Sequence, residues 1–209
     1  MATLNLQVGA GTDDARNNGS TFPGTGNYSA TGTYNNIGVG SDGVFHMVGA
    51  RFLNLTIPQG AIINAADIQV CAQAATSTQC DWTIAAEDVD NAATFSSGHQ
   101  PKDAYNSRTS ATADWNIGTA SWTAGSWHTS SDIAAVIQEI INRPGWVSGN
   151  ALNVVVYNTD NTVPPSNRYR VIRMWDYSGN LSGMKLDITY TVGGKLPVMM
   201  RGYRARRVG

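Results

Sequence analysis

The sequence is short of charged residues, which make up 14% of its 209 residues, against roughly 25% in an ordinary soluble domain. Lysine is scarce, whereas glycine occurs 22 times. A helical enzyme normally carries more Glu, Lys and Leu, while a chain rich in Gly, Ser, Thr and Asn suits short strands joined by many turns. The composition therefore favours a domain built from β-strands over a helical one.

Long apolar runs are also absent. No segment approaches the ~20 apolar residues that a membrane helix needs, so we expect no membrane partner. The first residues, MATLNLQVGAGTDD, lack the basic and apolar regions of a secretory signal. We therefore expect the protein either to stay in the cytoplasm where it is made or to leave by another route, such as cell lysis.

Catalytic motifs are missing as well. The sequence contains no Walker loop, no dinucleotide-binding glycine motif after a strand, no G-x-S-x-G elbow and no C-x-x-C. Its three histidines are scattered, and each is best interpreted as a packed or surface residue. A hydrolase or lyase would need a facing pair of acids in a groove, and the sequence identifies none. We therefore predict that the protein is not an enzyme, although residues that meet only in space escape a sequence motif.

Alternation of apolar and polar residues predicts many short strands separated by turn residues, which is typical of a β-sandwich. The main strands are expected at residues 3–8, 44–55, 62–74, 82–89, 152–157, 169–175 and 184–192, with shorter pieces within 28–39 and 115–127. The predicted fold is an all-β jelly-roll sandwich. Residues 1–43 contribute its first strand and Gly-rich loops, residues 44–194 form its body, and residues 195–209 form a basic tail.

One helix interrupts this pattern at residues 132–142. Its isoleucines and valine recur at helical spacing and place one apolar face toward a core. Ser131 is the expected N-cap, and Pro144 stops the helix because proline cannot continue the hydrogen-bond ladder. A helix of about three turns with one apolar face suits a position across the end of the sandwich.

Cys71 and Cys80 lie on consecutive predicted strands. If these strands form a hairpin centred between Ala75 and Thr76, the two cysteines are directly opposed at a separation that suits a disulfide. The alternative is a pair of free thiols in a reducing cytoplasm. A disulfide would indicate a protein that works outside the cell.

The acidic run at Glu87, Asp88 and Asp90 is the only candidate for a metal. Oxygen-rich loops of this kind can hold structural calcium. The alternative, which we favour, is a solvated turn in which acidic side chains bond their own backbone. No other cofactor is expected.

Six tryptophans invite a glycan-binding interpretation, because sugar C–H faces stack on aromatic planes. Trp115, Trp122 and Trp127 are the candidates for glycan-facing side chains. The alternative is packing in the core, which large aromatic side chains dominate in β-sandwiches. For any single tryptophan we favour the core.

Charge is divided unevenly along the chain. Residues 195–209 hold five bases and no acid, whereas residues 1–194 hold nine bases and fifteen acids, a net charge of −6. Such a tail can find an acidic partner or associate head to tail; it can equally be a solvated, disordered end. The tail residues expected to contact a partner are Lys195, Leu196, Val198, Met199, Met200, Arg201, Tyr203, Arg204, Arg206 and Arg207.

Residues 51–63 (RFLNLTIPQGAII) and 66–70 (ADIQV) resemble the strand–turn–strand of DNRLRE-like jelly rolls, which are related to carbohydrate-binding modules. Residues 83–95, 137–146 and 149–152 match a branch of such domains found in bacterial and phage proteins. The resemblance covers roughly residues 44–192. It implies a jelly-roll fold and says little about function.

A compact version of this domain without a signal peptide looks like a tailed-phage virion component: a head decoration, fibre or tail-associated protein. The resemblance thus implies a virion location. The expected partners are the major capsid protein or a tail or vertex protein, within a homo-oligomer or larger assembly. The alternative is a carbohydrate-binding or host-receptor-binding module. Nucleic acid is not expected as a partner, because the body is acidic and lacks an aromatic-basic surface pattern.

Overall fold

A computed structural model describes residues 1–23, 26–158 and 167–192, so the basic tail at 195–209 lies outside the described residues. The described strands are Ala2–Gln7 (β1), Asp14–Gly19 (β2), Tyr28–Ser29 (β3), Tyr34–Val39 (β4), Phe45–Phe52 (β5), Ile62–Cys71 (β6), Cys80–Ala86 (β7), Ala113–Gly118 (β8), Trp127–Thr129 (β9), Leu152–Asn158 (β10), Arg168–Arg173 (β11) and Lys185–Thr191 (β12). The described helices are Pro101–Asn106 (α1), Ala134–Ile141 (α2) and one 3₁₀ turn at Gly11–Asp13. None of these helices has the length and apolar character needed to cross a membrane.

The strands form two antiparallel sheets. The smaller sheet has the order β1-β12-β6-β9, and the larger runs β11-β4-β5-β10-β7-β8. Strands β2 and β3 join the larger sheet through β5. The all-β sandwich predicted from the sequence is therefore confirmed, while the jelly-roll connectivity stays a prediction.

The core lies between the two sheets, because each contributes one apolar face. Along β6, Ile63, Ala66, Ile68 and Val70 are buried in one cluster with the inward residues of the larger sheet. Fully burying a side chain of this size stabilises the fold by about 1.5–3 kcal/mol. The alternation that marked β6 as a strand therefore also identifies its buried face.

Strand β10 is buried on both faces. All of Leu152–Asn158 is inaccessible, because Val155 and Tyr157 face a second cluster on the far side of the larger sheet. Phe95 belongs to that cluster, and a Cβ on Gly49 would lie only 2.4 Å from its ring. Because Gly49 has no side chain, the Phe95 ring can occupy the space above its Cα.

Helix α2 confirms the predicted helix and its apolar face, with Val136, Ile137, Ile140 and Ile141 buried. Its beginning differs from the prediction. The Ser131 hydroxyl donates to the Asp114 carbonyl, and the Asp132 Oδ1 accepts from the Ala134 amide at 3.0 Å. Asp132 also accepts from the Ala66 amide at 3.0 Å and so joins the helix to β6. Ser131 as the N-cap was therefore wrong.

Arg170 is fully buried, at 0% exposure, on β11. Its guanidinium donates to the carbonyls of Gly118 and Ala120 at 3.2 and 2.9 Å and to the Thr76 carbonyl. Burial lowers the pKa of Arg170, partly offset by Cys80 and Asp81. The arginine therefore fastens the segments that follow β6 and β8 to β11.

The two cysteines are free and buried, so of the two alternatives the structure contradicts the disulfide. Cys71 lies in the smaller sheet opposite Trp127, whereas Cys80 lies in the larger sheet opposite Gly118. Strands β6 and β7 belong to different sheets and form no hairpin. The chain between them crosses from one sheet to the other, so the assumed opposition does not occur.

Both thiols are expected to resist modification in the native protein. Burial raises the pKa of Cys80 to about 12, although the Trp82 indole N–H, 2.9 Å from its sulfur, acts against the rise. Since the thiolate is the reactive form, a thiol-specific reagent should release no signal from native protein and two equivalents after unfolding in guanidinium. Adding reductant before unfolding should leave that count unchanged, and a lower count without reductant would instead indicate a disulfide.

Candidate functional site

The outer face of the smaller sheet is polar from edge to edge. Gln7 on β1 lies opposite Lys185 on β12, which lies opposite Gln69 on β6 and then Thr129 on β9. Since side chains of directly opposed residues share one face, these four form a continuous row. The inward partners along the same strands, such as Leu186 and Ile68, belong to the core.

A second row on this face is organised by Asp187. It lies opposite Asn5 on one side and Asp67 on the other. Its Oδ1 accepts a hydrogen bond from the side-chain NH₂ of Asn5 at 2.6 Å, and its Oδ2 accepts one from the side-chain NH₂ of Gln69 at 2.7 Å. Because the carboxylate holds both NH₂ groups, the carbonyl oxygens of Asn5 and Gln69 are left to accept hydrogen bonds from a ligand.

Trp127 completes the face beside these rows. It lies opposite Cys71 on the same face as Gln69, since residues two apart along a strand point the same way. The indole is half-buried, and the Lys185 ammonium lies 3.9 Å from its ring centre. The face therefore combines one accessible aromatic plane with amide, carboxylate and ammonium groups.

A depression of about 360 Å³ lies on this surface. Its lining is formed by Asn5, Leu6, Gln7, Gln69, Lys185 and Asp187. The volume falls at the lower end of the 300–1,000 Å³ range of small-molecule sites. We call these six residues and Trp127 the outer-face site.

Asp67 adds a second carboxylate next to this site, directly opposite Asp187. Its Oδ1 is buried and has no hydrogen-bond partner in the described part of the chain. Burial and then the Asp187 charge raise the pKa of Asp67. The sequence did not identify this facing pair, because 120 residues separate its members and only the β6–β12 register brings them together.

Two of the three tryptophans predicted to face a glycan lie in the core. Trp115 is 8% exposed and Trp122 is 3% exposed. Both pack edge-on against Trp82, with ring centres 5.2 and 5.6 Å apart. The glycan prediction is therefore wrong for Trp115 and Trp122, and Trp127 alone lies on an accessible face.

The acidic run proposed for calcium is engaged by protein groups instead. The buried Glu87 contacts His99 Nε2 at 2.8 Å and accepts from the Asn153 amide at 2.8 Å. Asp88 and Asp90 both bind the Arg143 guanidinium that follows α2. No group of three or more acidic, histidine or cysteine side chains suited to a metal occurs among the described residues. Calcium at Glu87, Asp88 and Asp90 was therefore wrong.

The predicted partner-binding tail, from Lys195 to Arg207, lies outside the described residues. A scan against protein-family models and a search of curated proteins found no match. The resemblance to DNRLRE-like jelly rolls therefore stays a prediction.

Substituting Asp67 tests the charge pair. Asp67→Asn should raise the free energy of unfolding at pH 8 by about 0.2–1 kcal/mol, because like charges directly opposed across strands destabilise a sheet. The raised pKa means that the folded protein holds this proton more tightly than the unfolded chain. The stability contributed by Asp67 therefore falls as pH rises above its ordinary value of 3.8.

Urea unfolding at pH 3.5 and pH 8 measures this difference. The advantage of the variant should be present at pH 8 and shrink at pH 3.5, which lies below the ordinary pKa of 3.8, so that the carboxyl is mostly protonated in both states. Asp42→Asn is the control, since Asp42 is exposed and accepts from the Val44 amide, so its loss should bring no gain. A variant no more stable than the wild type at pH 8 would show that the pair carries no repulsion.

Proposed function

We propose that the protein is a non-catalytic carbohydrate-binding module whose ligand lies on the outer-face site. One observation carries this proposal: Asp187 fixes the side-chain amides of Asn5 and Gln69 beside the accessible ring of Trp127. Binding sites of this kind place a few fixed polar groups in a concave surface. Because the amides are held before the ligand arrives, little ordering cost opposes binding.

The groups of the site suit sugar hydroxyls, each of which donates one hydrogen bond and accepts others. The carbonyl oxygens of Asn5 and Gln69 accept, whereas the Lys185 ammonium donates. The indole of Trp127 offers an apolar plane for a sugar ring. A ring stacked there would displace Lys185, and the lost cation–π contact costs only about 0.5–1 kcal/mol at an exposed position.

The arrangement favours binding over hydrolysis. Both oxygens of Asp187 already accept from side-chain amide donors, at 2.6 Å from Asn5 and 2.7 Å from Gln69. A general acid or base would have to exchange a proton with the substrate. We therefore assign Asp187 the role of an anchor for the amides.

Removing the aromatic plane tests the proposal. The wild-type protein is expected to bind at least one class of glycan on an array of bacterial surface polysaccharides and animal glycans. Trp127→Ala should then weaken binding of that glycan by more than ~10-fold, equivalent to about 1.4 kcal/mol, because the stacking surface is lost. Isothermal titration calorimetry measures the change.

Tyr34→Ala provides the matched control. Tyr34 is an aromatic residue, 53% exposed, that lies on β4 of the other sheet, so its loss should leave glycan affinity unchanged. Asn5→Ala should weaken binding alongside Trp127→Ala, since it removes one of the fixed amides. An array without any bound glycan, or equal affinities of Trp127→Ala and the wild type, would contradict this function.

As a second function, which is compatible with the first, we propose a structural role in a bacteriophage virion. It is supported by the charge division, with +5 in residues 195–209 and −6 in residues 1–194. A basic tail with apolar residues between its arginines suits docking to an acidic neighbour, such as a capsid, tail or vertex subunit. The sandwich would then form the exposed body.

Deleting residues 195–209 tests the docking role. The truncated protein should keep the wild-type unfolding temperature, because the described sandwich ends before the tail, and should lose its place in purified virions. Quantitative mass spectrometry of particles from cells that produce the wild-type or truncated chain measures the copy number. A variant with the five tail bases replaced by Gln separates the charge from the apolar contacts. Equal copy numbers of truncated and wild-type chains would contradict the docking role.

A further inference from the structure

A second pair of carboxylates joins the start of β2 to the connection between β11 and β12. Asp14 opens β2 directly after the 3₁₀ turn, and Asp176 lies in the turn that follows β11. The Trp175 amide donates to Asp14 Oδ2 at 2.7 Å. Asp14 is only 2% exposed, and Asp176, the next residue after Trp175, is half-buried and near enough for its charge to act on Asp14.

Each of these carboxylates has an oxygen without a partner. Asp14 Oδ1 and Asp176 Oδ2 are both buried, and neither has a hydrogen-bond partner within the described residues. Leaving a buried polar atom unpaired is costly, and a buried charge more so. A group that pairs with both oxygens would remove this cost.

The local backbone makes room for the Asp176 carboxylate. A Cβ on Gly11 would lie 2.6 Å from Asp176 Oδ2 and 3.0 Å from its Oδ1. Glycine at this position therefore lets the carboxylate approach the 3₁₀ turn. Any larger residue would collide with the Asp176 carboxylate in its present position.

Arg51 on β5 and Arg16 on β2 are the arginines nearest to Asp14 along these two strands. Arg51 pairs with Asp13, the residue before Asp14, at 3.2 Å, and also donates to the Ala92 carbonyl and the Thr94 hydroxyl. Arg16, two residues along β2, has a buried Nε without a hydrogen-bond partner in the described part of the chain, and its charge helps to lower the pKa of His46 after burial. Neither guanidinium donates to the unpaired oxygens of Asp14 and Asp176.

We propose that Asp14 and Asp176 bind a divalent cation of the calcium class. Calcium takes six to eight oxygen ligands in flexible geometry, so backbone carbonyls and waters would complete the shell. With two carboxylates we expect a weak site, with a Kd of about 10⁻⁴–10⁻³ M, as in extracellular modules. The ion would fasten the N-terminal segment to the β11–β12 connection. The proposed cation site shares no residue with the outer-face site, so the test of cation binding is independent of the test of glycan binding.

Thermal unfolding of the full-length protein tests the proposal, with EDTA or 10 mM CaCl₂ at pH 8. Burial, with smaller contributions from Asp176 and Asp13 and against the Trp175 hydrogen bond, raises the pKa of Asp14 to about 7, so pH 8 leaves it ionised. Calcium should raise the Tm of the wild type by roughly 3–10 °C. Asp14→Asn and Asp176→Asn should lose this rise, whereas Asp42→Asn, an exposed acid, should keep it.

Terbium provides a second readout, because it replaces calcium and emits when a neighbouring indole is excited. Excitation of tryptophan should produce terbium emission in the wild type that calcium displaces, with Trp175 adjacent to the proposed ligand. Asp14→Asn should lose at least ~10-fold of this emission. That variant keeps an oxygen for the Trp175 amide and removes a buried charge, so we expect it to fold.

Two results would overturn the proposal. The first is a Tm of the wild type that calcium does not change, or changes equally in Asp14→Asn. The second result combines two observations. In EDTA, the Tm of the wild type rises as pH falls through about 7 while that of Asp14→Asn does not, and calcium changes neither Tm. The pair would then share a proton, with the carboxyl of Asp14 donating to Asp176.

Discussion

The Arg170 guanidinium fixes the arrangement on which much of the molecule depends. A buried cation without a carboxylate partner is costly, and here the compensation comes from three backbone carbonyls in two segments. Those segments carry Trp122, whose ring lies 5.3 Å from the guanidinium. Once Trp122 is held there, Trp82 packs edge-on against it, and Trp115 packs edge-on against Trp82. A cluster of tryptophans that could have formed a surface platform becomes part of the core instead.

The burial of Trp82, Trp115 and Trp122 decides which aromatic side chain remains available for a ligand. Trp127 lies on β9, at the edge of the smaller sheet, and pairs with Cys71 on the outer face. His128, the next residue, points inward and stacks on Trp122 with ring centres 4.0 Å apart. Strand β9 therefore contributes to both faces of the smaller sheet: His128 extends the buried aromatic cluster, while Trp127 contributes to the outer surface.

Local pattern predicted much of the fold. The alternation along residues 62–70 identified β6, and the helical spacing of Ile137 and Ile141 identified α2, because burial of one face leaves a periodic trace in sequence. The strand β2 was missed because its sequence, DARNNG, is that of a loop by composition. Its strand conformation comes from pairing with β5, which no local signal reports. Helix α1 was missed for a related reason, since its six residues are too few for a periodicity.

The candidate sites depended on contacts distant in sequence and were therefore largely missed. Glu87 looked like a calcium ligand because its neighbours are acidic, yet its partners are His99 and Asn153, which the sequence does not associate with it. The pairs Asp67–Asp187 and Asp14–Asp176 are each more than one hundred residues apart. Cys71 and Cys80 show the opposite error, because nearness along the chain was taken for nearness in space while the connection crosses between sheets.

The position of β12 in the smaller sheet has a consequence for synthesis of the protein. Among the described strands, β12 comes last in the sequence and lies between β1, the first of them, and β6, so the sheet lacks its central member until Lys185–Thr191 has left the ribosome. Until then β1 has no neighbour in the sheet and β6 presents an open edge, which is a template for pairing with other chains. Loops that close over such long distances also form slowly. During this interval the nascent protein is prone to aggregate. We expect holdase chaperones that cover exposed strands to protect it.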